Sequence, residues 1–389
     1  MIFVFGVDGY IGNALVQRLL YSGYNVIGFD NFWRRQWIEE DMNSFSATPL
    51  CSMKNKIFQF EKLWGKKSKF NFFNIDISKE SNFIEGLFKK YKPTTVFNLA
   101  HNPSAPYSMK SVKHANKVLQ NNIIGTNNIL WGMRKSCTDC HYITIGTAGE
   151  YDHYGNIDIE EGYFKFIHKG RQSNKMIFPR RPGSIYHTSK TASTYLIDYL
   201  SRAWNLRCTD VMQGVVFGGY TDEIDKTKIF SRFDSDEAGG TVINRFIVQS
   251  VLGEPLTVYG QGEHKRSFLS LNDCIQALMI AFINPAKKGE VQTWNQLSEW
   301  HSMNKLAYMV KKVGEENGLS VKVENILTPR MERTTEHYYN FITNNLTDKG
   351  YVPTRTIEQE INYMIKLLLQ FKDRLEPLRK VVIPKINFR

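Results

Sequence analysis

Ile2-Phe3-Val4-Phe5-Gly6-Val7-Asp8-Gly9-Tyr10-Ile11-Gly12 opens the chain, and a helix-like stretch from Tyr10 to Tyr24 leads to Asn25-Val26-Ile27-Gly28-Phe29-Asp30. An apolar run, three spaced glycines, a helix, a second apolar run and an acid, in that order, describe a dinucleotide cradle. Gly6 permits the tight turn, Gly9 lets the backbone approach a pyrophosphate, and Gly12 lets helix and strand pack closely, with the phosphates on the helix N-terminus. Tyr10 and Ile11 complete the turn facing the cofactor. Asp30, ending the second strand, is placed to accept hydrogen bonds from an adenosine ribose diol. A carboxylate there repels a 2′-phosphate, which argues for NAD over NADP, while Arg34 and Arg35 nearby work the other way.

Outward from this unit, the alternation of strand and helix continues. Strands are expected at Phe70–Ile75, Thr94–Leu99, Tyr142–Gly146 and Arg207–Gln213, and helices at Lys79–Tyr91, Lys113–Arg134 and Tyr186–Trp204. This pattern predicts an α/β fold, a Rossmann-type doubly wound parallel sheet. Two stretches interrupt it. Residues 32–68 read as an insertion with a helix near Asn55–Trp64, and 152–183 as a polar excursion. Beyond Gly214 the regularity loosens under Pro and Gly punctuation. The expected organisation is a dinucleotide-binding domain over 1–213 and a smaller mixed α/β substrate-binding lobe over 214–389, interleaved with the first.

The composition narrows the class. At 389 residues and 42% hydrophobic content, the chain is long enough for a large core and lacks any apolar stretch that would span a bilayer. The N-terminus enters a strand at once, without a basic leader, so a cytoplasmic location is expected. Five scattered cysteines suit reduced thiols, and Cys137-x-x-Cys140 lacks the second pair or histidines that a zinc site requires, so no metal is expected. The net charge of +12 is spread over the chain without a recognition-helix or zinc-finger motif, which argues against a nucleic acid partner. A basic pocket for a nucleoside diphosphate fits the same balance.

Candidate chemistry falls at the carboxyl ends of strands, where open α/β sheets bind ligands. Thr147 follows the fifth strand. Tyr186 and Lys190, four apart at a helix start, share one face. An ammonium near a phenol favours the phenolate, making tyrosine a usable base near neutrality, and Thr147 is placed to bond the same substrate oxygen.

Longer motifs carry a resemblance to the extended short-chain dehydrogenase/reductase superfamily, the nucleotide-sugar epimerases and dehydratases. Phe32-Trp33-Arg34-Arg35, Ser104-Ala105-Pro106-Tyr107-Ser108-Met109, Gly146-Thr147-Ala148-Gly149-Glu150-Tyr151, Asn156-Ile157-Asp158-Ile159-Glu160-Glu161-Gly162-Tyr163, Tyr186-His187-Thr188-Ser189-Lys190 and Glu336-His337-Tyr338-Tyr339-Asn340 look most like the UDP-sulfoquinovose synthases, over nearly the whole chain. That family, the resemblance implies, joins UDP-glucose and sulfite with tightly held NAD. The sugar is oxidised at C4, water leaves across C5 and C6, sulfite adds at C6, and hydride returns to C4. Carried onto matching positions, Tyr186 is the base, Lys190 lowers its pKa and holds the nicotinamide ribose, Thr147 orients the 4-oxygen, and Glu150 and His187 are candidates for proton movement at C5 and C6. Asp30, Asn31, Arg34, Asp76, Ile77, Leu99, Ala100 and Asn122 would meet the cofactor. His101, Tyr107, Gln213, Asn244, Arg245, Thr257, Arg266 and Arg330 would meet the UDP-sugar. The resemblance also implies a homodimer through the helices 113–134 and 186–204.

Three departures stand out. His101-Asn102-Pro103 replaces the family's Glu-Gln-Arg, Ala148 replaces a methionine, and Gly262-Glu263-His264-Lys265-Arg266-Ser267 alters the surroundings of Arg266. Alanine after the threonine and the lost amide and cation favour a second reading, a UDP-sugar 4-epimerase or 4,6-dehydratase without sulfite addition. A third reading, a non-catalytic NAD- or nucleotide-binding regulator, is opposed by the intact Thr147, Tyr186 and Lys190.

Overall fold

The computed structural model describes residues 1–151, 157–297, 299–327 and 340–384. Its centre is a sheet of seven parallel strands: β1 (Ile2–Phe5), β2 (Val26–Asp30), β3 (Phe70–Asn74), β4 (Thr95–Asn98), β5 (His141–Thr147), β6 (Arg207–Gln213) and β7 (Glu290–Gln296). They lie in the order β7-β6-β5-β4-β1-β2-β3. The order reverses between β1 and β4, so both crossovers leave a crevice above the carboxyl ends of these two strands, the place where such sheets bind ligands. All four residues of β1 and all four of β4 are buried, as expected for strands covered by helices on both faces.

Two core layers flank the sheet. One packs Leu15, Leu19, Phe246, Ile247, Leu278 and Met364 on one face, and the other packs Phe3, Phe29, Phe88, Ile129 and Tyr142 on the opposite face. The expected helix 113–134 is realised as Val112–Leu119, a π-helical turn Gln120–Ile124, and Gly125–Ser136. π-Turns cluster at functional sites, and this one carries Asn122 into the interior. The insertion holds two helices, Trp33–Glu40 and Met53–Trp64, where the sequence predicts one. The polar excursion is built from short hairpin strands, Tyr163–Phe164 with Met176–Ile177 and Ile167–His168 with Arg171–Gln172.

The main sheet runs across residue 213. β7 comes from 290–296 and pairs in parallel with β6 along its full length, Arg207 opposite Glu290 through Gln213 opposite Gln296. The segment 229–234 also returns to the cradle, where the Asn13 amide donates to the Ile229 carbonyl and the Gln17 amide does likewise. Smaller sheets complete the later part: Val215–Phe217, Lys265–Ser270 and Glu299–Ser302 in one, and Leu256–Tyr259 with Val323–Ile326 in another.

Candidate active site

The glycine turn is as tight as the motif implies. Gly6 has φ +89°, and a Cβ there would stand 2.5 Å from the Leu99 carbonyl oxygen; at Gly12 it would stand 2.0 Å from the Gly6 carbonyl oxygen. No side chain fits either position. Gly6, Asp30, Ile77, Leu99 and Ala100 line one crevice together with Asn102. Asp30 accepts from the backbone N–H groups of Asp8 and Phe32, both at 2.8 Å, and burial together with the Asp8 charge pushes its carboxyl up to about 6. Asn102 is 3% exposed and its Nδ2 has no partner among the described residues, so a polar donor waits at the crevice wall. A glycine cradle that any Cβ would fill and an acid at the end of β2 fit a dinucleotide, and the Asn102 amide adds a donor beside them.

Ionic partners of this cradle were not signalled by spacing. Asp8, inside the glycine turn, is bound by the Arg35 guanidinium and by Lys56 Nζ at 3.1 Å. Burial opposes ionisation of Asp8, but Arg35 and Lys56 outweigh it and hold the carboxyl below its usual range. Arg34 is tied to Asp234 and to the Gly239 carbonyl, both at 2.8 Å. Both arginines of the insertion are therefore engaged by carboxylates, which weakens their claim on a 2′-phosphate. Asn31 caps the next helix by accepting from Trp33 N–H, and Asp76 is turned onto Ser78.

Thr147 ends β5 beside Gln213 of β6, and Tyr186 stands in the first turn of the helix Ile185–Trp204, whose N-cap Ser184 accepts from His187 N–H. Burial first, then the Glu150 charge, hold the Tyr186 phenol well above the ordinary range, and the Thr147 side chain works against them. Lys190, the group the sequence assigns to lower it, lies on the same helix. Its ammonium donates to His101 Nδ1 at 2.7 Å and to the Ile145 carbonyl at 2.6 Å. Burial lowers Lys190 to about 8 against the raising fields of Asp210 and Glu150.

Glu150 is 0% exposed, so in this conformation no part of it reaches the crevice. It closes a capping box with Thr147, its Oε1 accepting from Thr147 N–H, and its Oε2 pairs with Arg180 at 3.0 Å. Thr194 Oγ1 lies 3.3 Å from Glu150 Oε2 and 3.2 Å from Asp210 Oδ2, bridging the two acids. Burial raises Glu150 to about 7, with Arg180 opposing and Asp210 adding. Arg180 and Asp210 are absent from the sequence-derived set. A carboxylate inside a buried strand is a readable signal for Asp210; nothing local marks Arg180. His187 Nδ1 lies 3.0 Å from Ser184 Oγ, with its ring centroid 4.9 Å from that of Tyr186.

Several expected substrate contacts are occupied within the protein. Tyr107 is buried against Trp33 and Trp37. Gln213 bonds Gln296 and Cys274, and Thr257 accepts from Gln249. Asn244 caps Gly218 N–H, while Arg245 donates to the Tyr259 hydroxyl and the Thr257 carbonyl. Asn122 is fully buried, holding Asn102 by its backbone and Ser189 by its hydroxyl. Arg266 is half-buried on the strand Lys265–Ser270. Arg330 and the motif 336–339 lie outside the described residues.

A family model for the NAD dependent epimerase/dehydratase family matches residues 2–295. The chain belongs to this family. As a member of the NAD dependent epimerase/dehydratase family it is an enzyme, and NAD is its cofactor. It is 39% identical over 389 residues to the UDP-sulfoquinovose synthase of Sulfolobus acidocaldarius, covering 100% of this chain and 97% of that one. It is 36% identical to the chloroplastic UDP-sulfoquinovose synthase of spinach, covering 100% and 79%. Among solved structures, a UDP-glucose 4-epimerase of Thermotoga maritima with UDP-glucose superposes at TM-score 0.70 and 19% identity, covering 95% of this chain and 99% of that one. At that identity the likeness bears on the fold. No helix among the described residues is long and apolar enough to cross a membrane.

Proposed function

We propose that this enzyme converts a UDP-hexose, UDP-glucose in the first instance, to a sugar sulfonated at C6, in the manner of a UDP-sulfoquinovose synthase. The observation that carries the reading is end-to-end similarity to two such synthases, from an archaeon and a plant, joined to the Thr147, Tyr186 and Lys190 constellation beside the cradle. NAD, which the Gly6–Gly12 turn and Asp30 would hold, would supply the hydride acceptor for C4 and the donor for its re-reduction. Tyr186 takes the proton of the 4-hydroxyl, and Thr147, at the end of β5, orients the same oxygen. With a ketone at C4, the C5 proton is acidic, and His187, beside the phenol, is the group assigned to move protons at C5 and C6. Glu150, wholly enclosed, holds the Thr147 turn. Asn244, Arg245, Thr257, Arg266 and Arg330 are assigned to the uridine diphosphate end, where guanidinium groups match phosphate oxygens.

A second reading, a 4-epimerase or 4,6-dehydratase, rests on Ala148 and on His101-Asn102-Pro103. Mass spectrometry of products from UDP-glucose, with and without sulfite, separates the readings. The synthase gives a sulfonated UDP-hexose only with sulfite; loss of water or an isomer without sulfonation would transfer the assignment to the second reading. We also infer a homodimer through the helices Val112–Leu119, Gly125–Ser136 and Ile185–Trp204. Val112, Trp131, Tyr195 and Tyr199 stand exposed on them, apolar side chains that a second copy could cover.

A further inference from the structure

Lys190 Nζ has two fixed acceptors, His101 Nδ1 at 2.7 Å and the Ile145 carbonyl at 2.6 Å. An ammonium has three N–H bonds, so one remains for a ligand. On its far side His101 Nε2 lies 2.7 Å from Thr126 Oγ1. A ring nitrogen accepts from an ammonium only when it carries no proton, so the imidazole is neutral, with its hydrogen on Nε2 and directed at Thr126. Thr126 is fully buried, and the Asn98 amide nitrogen, 3.3 Å from both His101 Nε2 and Thr126 Oγ1, donates to the Tyr142 hydroxyl at 2.9 Å and to Thr126, so the ring is enclosed between Lys190 on one side and Thr126 with Asn98 on the other.

We propose that His101 is a positioning residue for Lys190, a neutral imidazole that fixes the ammonium at the end of β5 and sets the pH range over which it stays charged. This rests on the reading of Tyr186 and Lys190 as the site of C4 oxidation. The charged groups around Lys190 are Asp210 and Glu150, with Arg180 paired to Glu150; Tyr186 shares its helix, and Tyr142 lies behind His101. Asp210 and Glu150 raise the lysine and burial lowers it. His101 supplies a neutral acceptor: it adds a hydrogen bond to the ammonium without adding a charge.

The test has two parts. Nitrogen NMR of the full chain labelled in histidine, with His101 assigned from its loss in His101→Gln, reads the tautomer without substrate. A neutral ring protonated on Nε2 between about pH 6 and 9 is expected, with the Nδ1 resonance moving in Lys190→Met. A ring protonated at neutral pH, or an Nδ1 indifferent to Lys190→Met, would overturn the proposal. The second part follows reduction of the bound cofactor on adding UDP-glucose, by near-ultraviolet absorbance across pH. His101→Phe, which removes the acceptor, is expected to move the alkaline limb down by about one pH unit, His101→Glu to move it up, and His101→Asn to lie near the parent. Equal loss of amplitude in all three with an unmoved limb would reduce His101 to packing. A chain that never reduces its cofactor with UDP-glucose would defeat the functional reading, while the NMR result would still decide the contact.

Discussion

Tyr186, the proposed base, sits where its surroundings resist ionisation. Burial and the nearby Glu150 carboxylate both favour the neutral phenol, and only the Thr147 side chain opposes them. Tyr186→Phe keeps the ring and its packing while removing the base, so turnover is expected to fall by roughly 10²–10⁴-fold or more with NAD affinity unchanged; calorimetry of NAD binding beside a product assay checks both halves. Asp30 gives a pH dependence of the opposite kind. Its carboxyl is pushed up to about 6, and only the carboxylate has both oxygens free of protons to accept from a ribose diol. NAD affinity is therefore expected to rise as pH increases through about 6 and to level off above 7; a flat profile from pH 5 to 8 would remove Asp30 from the site. Gly12→Ala places a methyl 2.0 Å from the Gly6 carbonyl oxygen, so weakened or lost NAD binding with a lowered melting temperature is expected.

At the level of elements, β5, its following turn and the helix Ile185–Trp204 are tied together by buried ions. Arg180 and Glu150 are 1% and 0% exposed in their side chains, and breaking such a pair from one side costs about 3–5 kcal/mol, because the remaining charge stays buried. Arg180→Met is accordingly expected to destabilise the fold strongly at pH 8 and less at pH 6. The sign follows from Glu150: its folded pKa, about 7, lies above the ordinary 4.5, so the folded chain binds the proton more tightly. The stability this gives is full below about pH 4.5 and is lost as pH rises through about 7. Thermal melts of parent and variant at the two pH values test this, and an equal loss at both would contradict it. The same elements mark the limits of the sequence. The glycine turn and the strands β1 to β6 are legible because glycine geometry and apolar runs are local properties. The helix Trp33–Glu40 buries only Trp33, Trp37 and Ile38 amid charged neighbours, which leaves little periodic signal. Asp8 with Arg35 and Lys56, Glu150 with Arg180, and Lys190 with His101 join residues 27 to 89 positions apart, and no local spacing encodes such pairs.

For the molecule as a whole, the polar β7, Glu290–Gln296, joins the main sheet from far along the chain, which is why a boundary at 213 is natural in the sequence and absent from the sheet. The parts of the chain before and after residue 213 are joined in one sheet through β6 and β7. The exposed aromatic face gives a prediction at the same scale. Trp131 is 40% exposed and packs edge-on to Trp204, with Arg134 against both rings. Light scattering is expected to report a dimer for the parent and a monomer for Trp131→Asp, whereas a monomeric parent would refute the assigned interface.

The central claim is oxidation and re-reduction at C4 around a sulfite addition, and UDP-glucose deuterated at C4 tests it most directly. Incubated with NAD-loaded enzyme and sulfite, it should give a sulfonated UDP-hexose whose mass and fragmentation show the deuterium retained on C4. A product without sulfur, or a sulfonated one from which the C4 deuterium has been lost to solvent, would contradict the account.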